Sequence, residues 1–301
     1  MNAINTLTKN TSTKNASTQT DQEMSTPQTD ELIKSIGIPA RPVTLINLQK
    51  EIESDDPDLR KASALVTSDV TLTVAVLRTV NSSAFGLSRK CETVEQAVFM
   101  IGFKRLKGIV TGLILRNLMR GDAQQLAHFW DVSAKRSHAM TQLASDLGLV
   151  DSDIAHSFGL FCDVGIPLLM LRFADYNQTL AICHEETERT FTQVEQAKYR
   201  TDHALIGAIM ARSWDLSPTL TQAIRLHHDY SIFTDSKVPE VVKQLVAMNL
   251  IAELAIQRFS YLDSAEWNKG GADAVELLAM TDYEITEWID RLSYDFAKTS
   301  T

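Results

Sequence analysis

The sequence predicts an all-α protein, and three observations support this prediction. Apolar residues recur at intervals of three and four through most of the chain after Asp30, as they do on the buried face of a helix. Residues that cap helix N-termini, mainly Asp, Ser and Thr, precede these segments repeatedly. Alternation of apolar and polar residues never persists, and no Asn-Gly or Asp-Gly hairpin turn occurs. We therefore expect a compact multi-helix protein in which an N-terminal helical subdomain packs on a C-terminal helical bundle.

Composition places the chain among globular proteins. Its 301 residues are 44% hydrophobic and 22% charged, which is enough to build a sizeable core. The net charge of −9 disfavours binding to nucleic acid, because attraction to phosphate requires a positive surface. Three cysteines form neither a disulfide framework nor a zinc-finger spacing. We expect no apolar run long enough to span a membrane, no signal peptide, and a cytoplasmic location.

The N-terminal part of the chain divides into a polar tail and a helical half. Residues 1–30 are dominated by Thr, Ser, Asn and Gln and predict a disordered tail. Residues 31–122 predict the helical half, beginning with apolar positions at helical spacing in "PVTLINLQKEI". Asp56-Pro57 is interpreted as an N-cap with proline at the first helical position, and Asp69 as the cap of "VTLTVAVLRTV".

The next helices of this half are bounded by a capping box and a glycine. Thr93 and Gln96 have the spacing of a capping box, and Gly102 is expected to end the helix that they start. A strongly apolar helix follows, and it carries the basic residues Lys104, Arg105, Lys107, Arg116 and Arg120.

The C-terminal part is predicted as a helical bundle over residues 123–260 and a helical extension over 261–301. Asp122 opens a long helix that ends at Gly148. Polar caps and prolines mark the later helix starts, which are Asp151 or Ser152, Thr192 with Glu195, Asp202, Ser217-Pro218, Pro239, and Thr281 with Glu284.

Five side chains in this C-terminal part are candidate metal ligands: His138, Asp163, His203, His227 and His228. Imidazole and carboxylate groups are the ligands of manganese, iron and zinc in many hydrolases. Each residue also has a structural interpretation. His138 fits a partly buried helical position, the paired histidines fit a helix C-terminus, and Asp163 fits a helix cap. The residues alone leave both interpretations open.

Four blocks of the sequence are distinctive: "SDVTLTVAVLRTVNSSAFG", "TVEQAVFMIG", "GLFCDVG" and "DHALIGAIMARSWDLSPTLTQAIRLHHD". These blocks resemble the HDOD family, a branch of the HD-domain superfamily of metal-dependent phosphohydrolases that is related to the HD-GYP enzymes. They occur in the family's order and extend from about Ile38 to about Ala255. The resemblance implies that residues 123–260 form an HD-like helical bundle.

The resemblance also implies a metal site with departures from the family pattern. Superfamily enzymes bind metal with a histidine, an adjacent His-Asp pair and a later aspartate. His138 matches the first histidine and Asp163 the paired aspartate, whereas Cys162 stands in place of the paired histidine. Either Glu253 or Asn249 takes the place of the later aspartate. The additional histidines of the HD-GYP enzymes correspond to His203, His227 and His228, but no Gly-Tyr-Pro follows them.

Two functions are compatible with this resemblance. The first is a non-catalytic bacterial signal-transduction module with a degenerate metal site, which acts through contacts with kinase, response-regulator or cyclic-dinucleotide domains. Candidate contact residues are Asn81, Phe85, Lys104, Arg105 and Lys107. Their structural alternative is that Asn81 caps a turn, Phe85 fills the seam between the halves, and the basic residues are solvated.

The second function is a metal-dependent phosphohydrolase or phosphodiesterase that acts on a nucleotide or a cyclic dinucleotide. Its cofactor would be manganese, iron or zinc, and its ligands would be the five candidate residues. No residue is assigned a catalytic role from the sequence. The substitution at Cys162 favours the first function, because cysteine binds metal only as a thiolate and has a shorter reach than imidazole.

Overall fold

The computed structural model describes residues 35–82, 85–119 and 123–299. All regular structure in these ranges is helical, which confirms the predicted all-α class. The chain divides into two compact units. The N-terminal unit contains the described residues from 39 to 119 and from Asp295 onward, and the site unit contains those from 123 to 294 and from 35 to 38. The predicted tail over residues 1–30 lies outside the described residues, and the division at residue 260 stays a prediction.

The N-terminal unit is built around one long, broken helix. Its helices are α1 (Val43–Ile52), α2 (Leu59–Thr67), α3 (Val70–Val80) and α4 (Val94–Leu118). Helix α4 contacts the other three, and its Leu106 is fully buried. Gly102, with φ of 79°, interrupts the helical backbone of α4, as a predicted helix end should.

The caps of this unit agree with the prediction except at α2. Asp69 caps α3 by accepting a hydrogen bond of 3.0 Å from the backbone of Leu72. Asp56-Pro57 was the wrong cap for α2, because the helix begins later, at Leu59. Its cap is Asp58, which accepts from the backbone N–H of Arg60 at 2.7 Å.

The site unit contains the remaining helices. They are α5 (Ala123–Leu147), α6 (Ser152–Phe161), α7 (Gly165–Arg172), α8 (Tyr176–Glu185), α9 (Phe191–Tyr199), α10 (His203–Ser213), α11 (Pro218–Leu226), α12 (Glu240–Phe259), α13 (Ala265–Leu277) and α14 (Asp282–Thr299). A short 3₁₀ turn, Tyr230–Phe233, follows α11. The last residues of α14, from Asp295, group with the N-terminal unit. Helix α12 is buried along most of its length and packs against α5, α11 and α13.

Most helix starts in the site unit lie where the sequence predicts them. The side chains that accept backbone hydrogen bonds as caps are Asp151, Asp202, Ser217 and Thr281. Helix α9 begins earlier than predicted. Its capping box is Thr190 with Gln193, not Thr192 with Glu195, and this frees Glu195 to act inside the protein.

One segment reaches the length and apolarity of a membrane span, although no such run was expected. By length and composition alone, residues Ser152–Arg172 could span a membrane. Just over half of this segment is buried within the protein, and Cys162, Asp163 and Val164 separate it into α6 and α7. The segment is therefore core structure that carries a charged turn.

Candidate metal centre

Two glycines bring the turn that carries Asp163 against its neighbours. A Cβ atom on Gly159 of α6 would lie 2.7 Å from the Cα of Ser137 on α5. A Cβ atom on Gly165 would lie 2.0 Å from the carbonyl oxygen of His203 at the start of α10. Contacts this short are possible only without a side chain. The backbone on both sides of Asp163 is thus in direct contact with α5 and α10.

His203 is held by a buried carboxylate on the preceding helix. Glu195 is fully buried and accepts from the backbone N–H of His203 at 3.1 Å and from its ring Nδ1 at 2.7 Å. The other oxygen of Glu195 accepts from the hydroxyl of Tyr176. The Nε2 atom of His203 then lies 3.6 Å from Oδ1 of Asp163. Burial alone would lower the pKa of His203, but Glu195 and Asp163 raise it to about 10.

His227 points its other ring nitrogen at the same carboxylate. Its Nδ1 atom lies 2.7 Å from the carbonyl oxygen of Ile224, which can only accept, so this nitrogen carries the proton. Its Nε2 atom lies 3.1 Å from Oδ1 of Asp163 and 3.2 Å from Nε2 of His203. Burial, together with the neighbouring His228, lowers the pKa of His227 to about 4. The ring is therefore neutral, and its Nε2 atom presents a lone pair.

His228 completes the group and has a carboxylate partner of its own. Its Nδ1 atom lies 2.8 Å from Oε2 of Glu266. The same carboxylate accepts from the Tyr230 hydroxyl and from the ammonium of Lys269 at 2.9 Å. One ligand atom from each of Asp163, His203, His227 and His228 lies within 4.8 Å of the other three. We call this group the histidine cluster.

The histidine cluster has the chemistry of a single-ion site. Its Asp163 and His227 acceptors face each other, an arrangement that is stable only with a proton or a cation between them. An ion with bonds of about 2.0–2.2 Å places neighbouring ligand atoms about 3–3.5 Å apart. The Oδ1 atom of Asp163 and the Nε2 atoms of His203 and His227 lie 3.1, 3.2 and 3.6 Å apart. The Nδ1 atoms of the three histidines already have partners, which leaves each Nε2 as the available ligand atom. The donor set therefore fits one divalent ion such as zinc, iron or manganese.

His138 is not part of the histidine cluster. The helix that carries it, α5, presents Arg136 to Asp163 instead. The Nη1 atom of Arg136 lies 2.7 Å from Oδ2 of Asp163. Two residues along a helix turn by about 200°, so His138 faces away from Asp163 when Arg136 faces it. The ring of His138 instead lies 3.1 Å from the side-chain amide of Gln142. No sequence signal distinguished Arg136 from other basic residues on helices.

The pKa values of Asp163 and Cys162 are shifted in opposite directions. Burial would raise the pKa of Asp163, but Arg136 and the two histidines hold it well below its usual range. Burial raises the pKa of the Cys162 thiol well above its usual range. Cys162 is fully buried and lies outside the group of converging ligand atoms. It is therefore a thiol, not a thiolate ligand.

The two candidates for the later acidic ligand lie on α12, outside the histidine cluster. Glu253 interacts electrostatically with Arg136 and Asp163, and burial raises its pKa. Its Oε1 atom accepts from Gln257 at 3.1 Å. Asn249 is 2% exposed, and within the described part of the chain its Oδ1 atom has no hydrogen-bond partner.

The candidate contact residues lie in the N-terminal unit. Asn81 donates to the carbonyl of Cys91 at 2.8 Å and accepts from its N–H at 2.7 Å, which is a structural task. Lys107 pairs with Glu53 at 3.2 Å. The other candidates are Phe85, whose ring centre lies 6.0 Å from the Arg105 guanidinium, and the exposed Lys104.

Comparison with known proteins identifies the family. The HDOD domain family matches residues 38–230 of this chain. An uncharacterized protein from Treponema pallidum is 25% identical over 239 residues, which are 76% of this chain and 45% of that protein. The Bacillus subtilis protein YuxH is 29% identical over 73 residues, 24% of this chain and 18% of that protein. The chain thus spans less than half the length of these relatives.

Solved structures share the fold at low sequence identity. An HDOD domain protein of unknown function from Geobacter sulfurreducens has a TM-score of 0.60 at 19% identity, with 93% of this chain and 97% of that chain covered. A Shewanella amazonensis protein named "Putative phosphohydrolase" has a TM-score of 0.66 at 20% identity, with coverage of 89% and 94%. A Marinobacter aquaeolei protein named "Putative signal transduction protein" has a TM-score of 0.69 at 15% identity, with coverage of 89% and 60%.

Proposed function

This chain belongs to the HDOD domain family, and from that premise we propose that it is a regulatory signalling module that does not hydrolyse phosphoesters. The observation that carries the proposal is the ion pair between Arg136 and Oδ2 of Asp163. In a two-ion hydrolytic centre a bridging carboxylate offers both oxygens to metal, whereas here one oxygen is committed to a guanidinium. Cys162 supports the same conclusion, because a buried neutral thiol is a poor replacement for the paired histidine.

The enclosure of the cluster also favours binding over turnover. His203, His227 and His228 are 0%, 1% and 5% exposed. A phosphoester needs direct access to the ion and positive side chains that stabilise its charge. A divalent ion held by the cluster would supply Lewis acidity, but the buried histidines leave a substrate little approach to it. Asp163 and the histidines are better suited to organise the ends of α10 and α11.

A hydrolysis assay tests this proposal. The full chain, loaded in turn with Mn²⁺, Fe²⁺ or Zn²⁺, is incubated with bis(4-nitrophenyl) phosphate, 4-nitrophenyl phosphate and cyclic dinucleotides. We expect no release of product above that of the Asp163→Asn variant. Metal-dependent turnover by the unaltered chain that is lost in Asp163→Asn would overturn the proposal.

The second candidate function is a metal-dependent phosphohydrolase that acts on a nucleotide or a cyclic dinucleotide. The observation that favours it is the convergence of four ligand atoms with their outer nitrogens already bonded. The same assay decides between the two functions.

We propose that the module acts in the cytoplasm through protein partners, namely kinase, response-regulator or cyclic-dinucleotide domains. The distribution of charge supports an acidic partner surface for the N-terminal unit. Residues 39–120 contain 12 basic and 8 acidic residues, although the whole chain has a net charge of −9. Candidate partners from chemical cross-linking in the source cell should be purified and their affinity measured at several salt concentrations. Binding that is unchanged by Lys104→Glu combined with Arg105→Glu would contradict a role for this surface.

A further inference from the structure

The two oxygens of Asp163 face two different groups of side-chain nitrogen atoms. Oδ1 faces the Nε2 atoms of His227 and His203, at 3.1 Å and 3.6 Å. Oδ2 faces Nη1 of Arg136 at 2.7 Å. A carboxylate that presents its two oxygens in this way has the arrangement of a bridge between two cations. Here one of the two positions already contains a side chain.

The surroundings of Arg136 are those of a cation position. Arg136 is 4% exposed, and besides Asp163 its guanidinium lies within electrostatic range of Cys162 and Glu253. By the family resemblance, Asp163 and Cys162 stand at the aspartate and the histidine of the pair, and Glu253 is one of the two candidates, with Asn249, for the later acidic ligand. The close approach of Gly159 to the backbone of Ser137 and Arg136 holds α5 against this turn. The guanidinium therefore lies among the residues that correspond to metal ligands.

We propose that the guanidinium of Arg136 permanently occupies one of two cation positions, so that the protein takes a single divalent ion, in the histidine cluster. This inference rests on the single-ion site described above and adds the residue that sets its stoichiometry. Arginine keeps its charge at every physiological pH, so the position is never vacated by deprotonation. A second divalent ion would lie beside a buried like charge and would have lost Oδ2 as a ligand.

Metal stoichiometry in matched variants tests the inference. The full chain is purified without chelators, dialysed against Mn²⁺ or Zn²⁺, and analysed by native mass spectrometry. We expect one ion per chain for the unaltered protein and for Cys162→His, in which the guanidinium remains. We expect two ions for Arg136→Gln combined with Cys162→His, and one ion again when Arg136→Lys replaces Arg136→Gln.

The outcomes separate this inference from the proposed function. Two ions in Cys162→His with Arg136 intact, or one ion in the Arg136→Gln double variant, would overturn the role of Arg136. An unaltered chain without metal would also overturn it. Hydrolysis by the unaltered chain would instead overturn the proposed function and leave the stoichiometry of one ion standing. Circular dichroism and the thermal midpoint, each measured with and without metal, identify variants that fail to fold. If the Arg136→Gln variant fails to fold, Arg136→Met is used in its place.

Discussion

The two units of this protein differ in what they bury. Among the described residues of the N-terminal unit, the buried polar side chains are neutral, and they are Gln49, Ser63 and Thr111. In the site unit the buried polar side chains include seven charged or titratable ones around or near one turn, namely Arg136, Glu195, Asp202, His203, His227, His228 and Glu266. Burying ionisable groups costs free energy unless they are paired. The free-energy cost of burying ionisable groups therefore falls mainly in the unit that contains the candidate metal centre, as is common at functional sites.

Removal of Asp163 should have the largest effect, because it leaves the buried Arg136 without its partner. We expect Asp163→Ala to lower the free energy of unfolding by about 3–5 kcal/mol. Urea unfolding followed by circular dichroism measures this change. In an Arg136→Met background the same substitution should cost much less, because no buried charge is left unpaired. Equal costs in the two backgrounds would show that the ion pair is not the cause.

Glu195 should affect metal binding more than it affects the fold. Glu195→Gln removes the charge that orients His203 through its Nδ1 atom. We expect the affinity for a divalent ion to fall by roughly 10–100-fold, as for other outer partners of ligating histidines. Competition with a chromophoric chelator measures this affinity. Glu188→Gln, at an exposed position on the same unit, is the control and should leave the affinity unchanged.

A charged side chain of the N-terminal unit should matter only as a helix cap. Asp69 is exposed and accepts from the backbone N–H of Leu72. Asp69→Ala should lower the free energy of unfolding by about 1 kcal/mol, and Asp69→Asn by less, because asparagine also caps helices. Chemical denaturation of both variants checks this order. A loss as large as that of Asp163→Ala would remove the contrast between the units.

Lys104 should have the smallest effect on stability. Its side chain is exposed on α4, so Lys104→Glu should change the free energy of unfolding by about 0.5 kcal/mol or less. The same variant should weaken binding to an acidic partner at low salt. A large loss of stability would show that Lys104 belongs to the fold of the N-terminal unit.

The sequence predicted the helices well because helix signals are local. The caps at Asp69, Asp151 and Asp202 involve backbone groups within a few residues, so their spacing is visible in the chain. Cap prediction failed at α2 and α9, where neighbouring polar residues offered more than one start. Such ambiguity moves a helix boundary without changing the fold class.

The site was predicted only in part, because its contacts join distant segments. Asp163, His203, His227 and His228 were all named from the sequence, and the structure brings them together. His138 was also named, but the converging group does not include it, and α5 presents Arg136 to Asp163 instead. A sequence does not say which face of a helix meets a turn. Glu195 and Glu266 were missed as histidine partners, because carboxylates on helices normally indicate a solvent-exposed face.

The geometry of the site depends on Gly165 having no side chain. The backbone at Gly165 meets that of His203 at a distance that excludes even a Cβ atom. Asp163 and His203 therefore share a centre only while two helices touch through their main chains. A single methyl group at this contact would push the two helices apart. Asp163 would then be separated from His203, although every ligand residue would still be present. The proposed ion site thus depends on helix spacing as much as on residue identity.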